Sequence, residues 1–83
     1  MIIYSIEMFD KVSEELIREI TIPEFQLEAV AKLMGWNAVD KESFFNGVGG
    51  FNVTKEQAEK LEVLLGVVFY SEQFIIQIAG GEV

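Results

Sequence analysis

The sequence predicts an α+β fold: a two-layer sandwich in which a mostly antiparallel sheet of about four strands carries two helices on one face. Three observations support this prediction. Apolar and polar residues alternate in three segments, apolar residues recur at helical spacing in two others, and a helix-capping motif precedes the second helical segment. The element order is strand, strand, helix, short strand, helix, strand, and a single domain over residues 1–83 accommodates it.

The first two strands are predicted to form a hairpin. Side chains alternate between two faces from Ile2 to Phe9 and again from Glu15 to Ile22, and the polar residues between these runs favour a turn. In the second run, strict alternation places Leu16 on the same side as Ile20 and Ile17 on the opposite side.

A helix is predicted from about Glu24 to Met34. Pro23 cannot donate a hydrogen bond to a sheet, so the second strand should end there. Leu27 and Val30 then begin an apolar stripe at helical spacing, and Gly35 stands where a left-handed cap is favoured.

The segment from Gly35 to Gly50 shows no regular period and is predicted to be a loop. Its aromatic residues, among them Trp36 and Phe44, are expected to anchor the loop to the core. The glycines within residues 47–50 favour a turn with positive φ angles. Phe51–Val53 is short enough to be an edge strand.

The second helix has the strongest local signal in the chain. Thr54 and Gln57 form an S/T-x-x-E/Q capping box, and Gly66 is expected to end the helix. Alternation from Phe74 to Ile78 then predicts a strand in the centre of the sheet, ended by Gly80–Gly81.

The charge balance is strongly acidic: fourteen carboxylates face six basic side chains, which gives a net charge of −8. The chain has no histidine and no cysteine, so it lacks the usual proton shuttle, thiol nucleophile and soft metal ligands. We therefore predict no enzymatic activity, no cofactor and no metal. An acidic surface attracts basic partners, which indicates a protein-binding function rather than direct nucleic-acid binding.

The sequence offers little support for three other kinds of site. Paired carboxylates can hydrolyse glycosides, but here the acids stand beside charged neighbours rather than in a predicted cleft. Asp40–Glu42 lacks the ligand spacing of a calcium loop, and Gly47–Gly50 lacks the lysine and hydroxyl residue of a phosphate-binding loop. Both segments are predicted to be ordinary turns.

The location is predicted to be cytoplasmic. The start of the chain has neither the basic region nor the long apolar stretch of a secretion signal, and there is no cysteine for disulfides. No apolar run approaches the roughly 20 residues that span a bilayer, so no membrane association is expected.

The motif Phe9-Asp10-Lys11 lies at the end of the first predicted strand of this short, acidic chain, whose elements are ordered strand, strand, helix, short strand, helix, strand. In motif, order, length and acidity, nearly the whole chain resembles small bacterial immunity proteins of nuclease toxins, both those of contact-dependent growth inhibition and those of cloacin-type bacteriocins. The resemblance implies a non-enzymatic inhibitor that binds a basic nuclease toxin. The sequence does not discriminate between a ribosome-cleaving and a tRNA-cleaving toxin, and we favour tRNA as the toxin substrate. Unlike cloacin-type immunity proteins, which have an Asp-rich centre, this chain has no acid from Ser43 to Asn52.

The predicted contact surface combines acidic residues with apolar anchors on the outward sheet face and the first hairpin. These predicted partner-binding residues are Glu7, Phe9, Asp10, Glu14, Glu15, Ile17 and Glu19. The alternative hypothesis is a homodimeric regulatory or structural module, in which the outward residues Ile3, Ile17 and Ile75 pair two sheets.

Overall fold

The computed structural model of the chain describes residues 1–82. Four strands and three α-helices follow one another: β1 (Ile2–Asp10), β2 (Leu16–Thr21), α1 (Leu27–Met34), α2 (Ala38–Phe45), β3 (Gly50–Asn52), α3 (Lys55–Leu65) and β4 (Phe74–Glu82). The predicted α+β class and antiparallel sheet are confirmed, and the structure adds one helix, α2, to the two expected. Among the described residues, no helix is both long enough and apolar enough to cross a membrane.

The strand order in the sheet is β2-β1-β4-β3, and all three pairings are antiparallel. The last strand therefore lies inside the sheet and β3 forms an edge, as the sequence predicted. Side chains on one face of β1 and β4 meet the helices in a common core, which includes Ile6, Ile78, Val30, Phe44 and Leu61. We call the opposite surface, turned away from the helices, the open face.

The first helical segment begins with a 3-10 turn over Glu24–Gln26 and continues as α1. Pro23 precedes it in an extended conformation, and Gly35 closes α1 with a φ angle of 71°. The stripe of Leu27 and Val30 is buried, as its helical spacing predicted.

Helix α2 lies in the segment that was predicted to be a loop. It begins because the Asn37 side chain accepts a hydrogen bond from the Asp40 backbone N–H at 2.8 Å. Phe44, near its end, is fully buried, with its ring centre 4.9 Å from that of Tyr4 and 4.7 Å from that of Trp36. The predicted anchoring by aromatic residues is confirmed: α2 presents Phe44, and Trp36 packs against the core just before the helix begins.

Strand β4 continues through both glycines that were expected to end it. Gly80 pairs with Tyr4 on the side that faces the core. A Cβ atom at Gly80 would lie 3.0 Å from the Gly47 Cα atom and 3.1 Å from the Tyr4 ring. The prediction was wrong because this glycine serves close packing, which allows the loop after α2 to approach the sheet.

The capping box at the start of α3 is confirmed. The Gln57 N–H donates to the Thr54 Oγ1 at 3.2 Å, and the Thr54 N–H donates to the Gln57 Oε1 at 3.0 Å. Gly66 ends the helix with a φ angle of 69°.

The Glu62 side chain, near the end of α3, holds the loop that follows the helix. Its Oε2 atom accepts hydrogen bonds from the backbone N–H groups of Phe69 at 2.8 Å and Tyr70 at 2.9 Å. These two bonds lower the pKa of Glu62 below its ordinary value of 4.5, because they favour the charged carboxylate.

We expect Glu62→Gln to destabilise the fold at about pH 7 and to destabilise it less as the pH falls to about 3. A lowered folded-state pKa stabilises the fold above the ordinary pKa, and this contribution is lost as the pH falls through the folded value. Urea unfolding at the two pH values measures the difference. Glu59→Gln, an exposed change on the same helix, is the control. Equal losses in both variants at neutral pH would contradict the role of Glu62.

Candidate functional site

Two rows of side chains cross the open face, and the strand register aligns them. In the first row Phe9 lies between Leu16 of β2 and Ile75 of β4. In the second row Glu7 lies between Glu19 and Gln77. We call Leu16, Phe9 and Ile75 the apolar row, and Glu19, Glu7 and Gln77 the acidic row.

The apolar row is open to solvent. Leu16 is 47% exposed and Ile75 is 40% exposed, and Phe9 between them is partly buried. Ile17, which adjoins this row in β2, is 53% exposed. A contiguous group of large apolar side chains on a strand surface is typical of an interaction site rather than of a solvated face.

A β-bulge decides which residues of β2 belong to the apolar row. Met8 pairs with Arg18, but the next residue, Phe9, pairs with Leu16, so Ile17 is the extra residue. The strict alternation predicted from the sequence, with Leu16 on the side of Ile20, is therefore wrong. The bulge brings Leu16 opposite Phe9, and the residues themselves carried no signal for it.

The acidic row brings two carboxylates face to face. Glu7 and Glu19 are direct partners on adjacent antiparallel strands, where side chains stand about 5 Å apart at the Cβ atoms. Partial burial, followed by the negative charge of Glu19, raises the pKa of Glu7 above its ordinary value of 4.5. Like charges in this position oppose folding, so this pair calls for an explanation other than stability.

The basic side chains of the strands and helices lie elsewhere. Arg18 of β2 lies opposite Met8 of β1, on the core side of the sheet, and donates a hydrogen bond to the Val68 carbonyl oxygen at 3.1 Å. On the helical layer Lys41 pairs with Glu28 at 2.6 Å, and Lys60 lies 3.7 Å from Glu56. Within residues 1–82, the paired strand positions of the open face contain no Lys or Arg. The acidic row therefore has no cation from its own sheet.

The acidic residues of the β1–β2 turn have a mixed role. The Asp10 Oδ1 atom accepts hydrogen bonds from the N–H groups of Val12 and Ser13 at 2.8 and 2.9 Å, which lowers the pKa of Asp10. Asp10 therefore shapes the turn. Glu14, whose φ angle is 63°, and Glu15 have exposed side chains beside it.

The structure thus brings most of the predicted contact residues together. Glu7, Phe9 and Glu19 share the open face, and Ile17 adjoins them at the bulge. The turn that carries the other three acidic residues continues from the same end of β1. Sequence reasoning missed Leu16 and the juxtaposition of Glu7 with Glu19. No group of three or more His, Cys, Asp or Glu side chains within residues 1–82 is arranged to hold a metal ion.

Comparison with known families gives a match over most of the chain. The domain of unknown function DUF7683 matches residues 3–79. The chain belongs to this family. The DUF7683 match includes both rows of the open face. No curated protein and no solved structure matches the chain.

In this DUF7683 domain we expect Glu7→Gln to stabilise the fold at about pH 7. A raised folded-state pKa leaves stability intact below the ordinary value of 4.5 and costs stability once the pH exceeds the folded value. The neutral amide removes that cost, which is a few tenths of a kcal/mol and at most about 1 for an exposed cross-strand pair. Urea unfolding should show the gain at pH 7 and none at about pH 3. A loss of stability at pH 7 would contradict the repulsion between Glu7 and Glu19.

Proposed function

We propose that the chain is an immunity protein that neutralises a nuclease toxin by covering its basic substrate groove with the open face. One observation carries the proposal: an acidic row and an apolar row lie side by side on the same uncovered sheet surface, without a basic side chain among their residues. An enzyme that binds nucleic acid presents the complementary surface, because its groove must hold phosphates.

The two rows would contribute differently to such a complex. The apolar row, with Phe9 at its centre, supplies the side chains that lose water on contact and slow dissociation. The acidic row, with the exposed carboxylates of Glu14 and Glu15 in the adjoining turn, accelerates association and selects a basic partner.

The contact surface in this proposal differs from the Asp-rich centre of cloacin-type immunity proteins. The corresponding segment here, residues 43–52, has no acid and contributes Phe44 to the core. The proposal therefore assigns binding to the open face and the first hairpin, and it assigns a structural role to this segment.

The unneutralised Glu7–Glu19 pair supports the proposal energetically. Two facing carboxylates reduce the stability of the free protein, and a cation from a partner would relieve that repulsion on binding. Residues that bind a partner are often not those that would make the free protein most stable.

The test is inhibition of a nuclease by the purified chain. The basic nuclease domains encoded beside the gene are purified, and their cleavage of tRNA, ribosomal RNA and DNA is measured with increasing amounts of the chain. We expect complete inhibition of one nuclease at unit ratio, tRNA cleavage being the first to examine, and slower association at high salt. Failure to inhibit any of these nucleases would overturn the proposal.

A homodimeric module without a toxin partner is the second candidate. The exposure of Ile17 and Ile75 on the open face favours it, since two such faces could bury these side chains. A face-to-face dimer would also bring the acidic rows of two copies close to each other, which opposes association. Sedimentation equilibrium of the free chain and of its Ile75→Glu variant tests this candidate. A stable dimer that dissociates in the variant, together with no inhibition of any nuclease, would favour the homodimeric module.

The proposed site of action is the cytoplasm of the producing cell, where a toxin must be held inactive before its release. Fractionation of those cells tests this point, and the chain should be found together with the nuclease domain in the cytoplasmic fraction.

A further inference from the structure

A small groove of about 210 Å³ opens on the open face beside the acidic row. Carboxylates form one side, and small residues of β4 leave room on the other. Its lining residues are Ile3, Ser5, Glu7, Glu19, Ala79, Gly80, Gly81 and Glu82.

Ser5 is the buried polar side chain of this groove. It lies between Thr21 and Ala79 in the register, and only 5% of its surface is exposed. Its hydroxyl makes no hydrogen bond to any residue within 1–82. In the same residues, every side-chain polar atom that is fully enclosed has a hydrogen-bond partner. The Ser5 hydroxyl is therefore not fully enclosed: it opens into the groove that Ser5 lines and is free to bond a group placed there.

The groove offers two further acceptors. Glu7 and Glu19 face each other across the strands, with Cβ atoms about 5 Å apart, and no ion pair links either of them to residues 1–82. Glu82 differs from them, because its Oε1 atom lies 3.0 Å from the terminal ammonium of Met1. The groups available to a ligand are thus two carboxylates and one hydroxyl.

We propose that this groove receives the guanidinium group of an arginine side chain from the partner, a step that rests on the proposed function and names the group recognised. A guanidinium is planar, always charged and has five N–H donors in a fixed fork. It can therefore donate to Glu7 and Glu19 at once and to the Ser5 hydroxyl in the same groove. A lysine ammonium is compact and is less suited to bridging two separated carboxylates.

The position of the groove fits a two-part contact. The acidic row and the apolar row are adjacent in the register, so an arginine in the groove would place neighbouring partner residues over Phe9. Arginine beside an aromatic or aliphatic anchor is typical of the centre of protein interfaces.

The test is a titration of the full chain, labelled with ¹⁵N, with N-acetyl-arginine amide at constant ionic strength. We expect the backbone signals of Ser5, Glu7 and Glu19 to shift and saturate, with a dissociation constant on the order of 1 mM, as is usual for so small a ligand. N-acetyl-citrulline amide, which has nearly the same shape without the charge, should cause no saturating shift.

Three variants assign the contact. Ser5→Ala and Glu7→Gln should each weaken binding of the arginine derivative by about threefold or more, since the first removes a hydrogen-bond acceptor and the second removes the negative charge of another. Glu59→Gln, on α3 in the helical layer, should leave the binding unchanged. Each variant's spectrum shows directly whether the fold is retained.

Several outcomes would overturn the proposal: no saturation, equal binding of the citrulline derivative, equal binding of N-acetyl-lysine amide, or shifts spread evenly over all acidic residues. These outcomes are separable from a failure of the proposed function. If the arginine derivative binds in the groove but no nuclease is inhibited, the groove assignment stands and the toxin proposal falls. If a nuclease is inhibited equally well by Ser5→Ala and Glu7→Gln, the reverse holds.

Discussion

Replacement of Phe44 by alanine is expected to lower the free energy of unfolding by about 3–5 kcal/mol, the usual cost of truncating a buried phenylalanine. Phe44 has no exposed surface, and its ring packs within 6.4 Å, between ring centres, of Tyr4, Trp36, Phe45 and Phe51. Domains of this size are typically stable by only about 5–15 kcal/mol, so much of the total would be lost. Urea unfolding followed by circular dichroism measures the change in the free energy of unfolding.

Phe25→Ala is the matched control for this prediction. It is the same substitution on a side chain that is 84% exposed, and it should change the free energy of unfolding by no more than about 0.5 kcal/mol. A loss below about 1 kcal/mol in Phe44→Ala would show that α2 does not anchor the segment between α1 and β3.

Charge reversal of Glu19 to lysine is expected to weaken nuclease binding by about 100-fold or more. A lysine there would face the basic groove of the partner, and like charges brought together in an interface cost several kcal/mol. The same change removes the repulsion between Glu19 and Glu7, so the free protein should become slightly more stable. Titration calorimetry with the nuclease domain and urea unfolding of the free chain give the two quantities.

Glu59→Lys separates local contact from overall charge. It alters the net charge by the same amount, but Glu59 lies on α3 in the helical layer. Glu59→Lys should slow association modestly, because it weakens only the long-range attraction to a basic partner, and it should leave the dissociation rate unchanged. Equal weakening by both reversals would remove the open face from the contact.

The combination of opposite effects is the most informative feature of the Glu19 prediction. A variant that binds less and unfolds less readily has lost its affinity for a reason other than damage to the fold. The same reasoning applies to Glu7→Gln, whose expected gain in stability at neutral pH accompanies an expected loss of the arginine contact. Residues whose replacement improves the fold and impairs binding are those that serve a partner.

Much of the fold could be predicted because its signals are local. Alternation identified β1, β2 and β4, and the reciprocal bonds of Thr54 and Gln57 started α3 where the capping box stood. Helix α2 escaped prediction because its residues form no clear apolar stripe: Val39 is 71% exposed, whereas Phe44 is buried. Asn37, which caps α2 by accepting a hydrogen bond from the Asp40 N–H, was the one signal that could have revealed this helix.

The candidate site was predictable only in part. Charge and alternation placed Glu7, Phe9 and Glu19 on an outward surface, and the register confirms that they share it. Leu16 was missed because a β-bulge follows from how two strands pair, not from the residue types in either one. The role of Glu62 was hidden for a similar reason, since the N–H groups that it binds belong to a loop beyond the end of its helix.

By itself, the sequence determined the sign of the protein's charge, the absence of histidine and thiol chemistry, and the elements whose hydrogen bonds close within a few residues. Tertiary structure decided which carboxylates face each other, which apolar side chains stay uncovered, and which hydroxyl lies in the groove. The physical reason is that residue types fix local preferences, whereas pairing between distant strands sets the register. Glu7 and Glu19 become neighbours only when β1 and β2 pair.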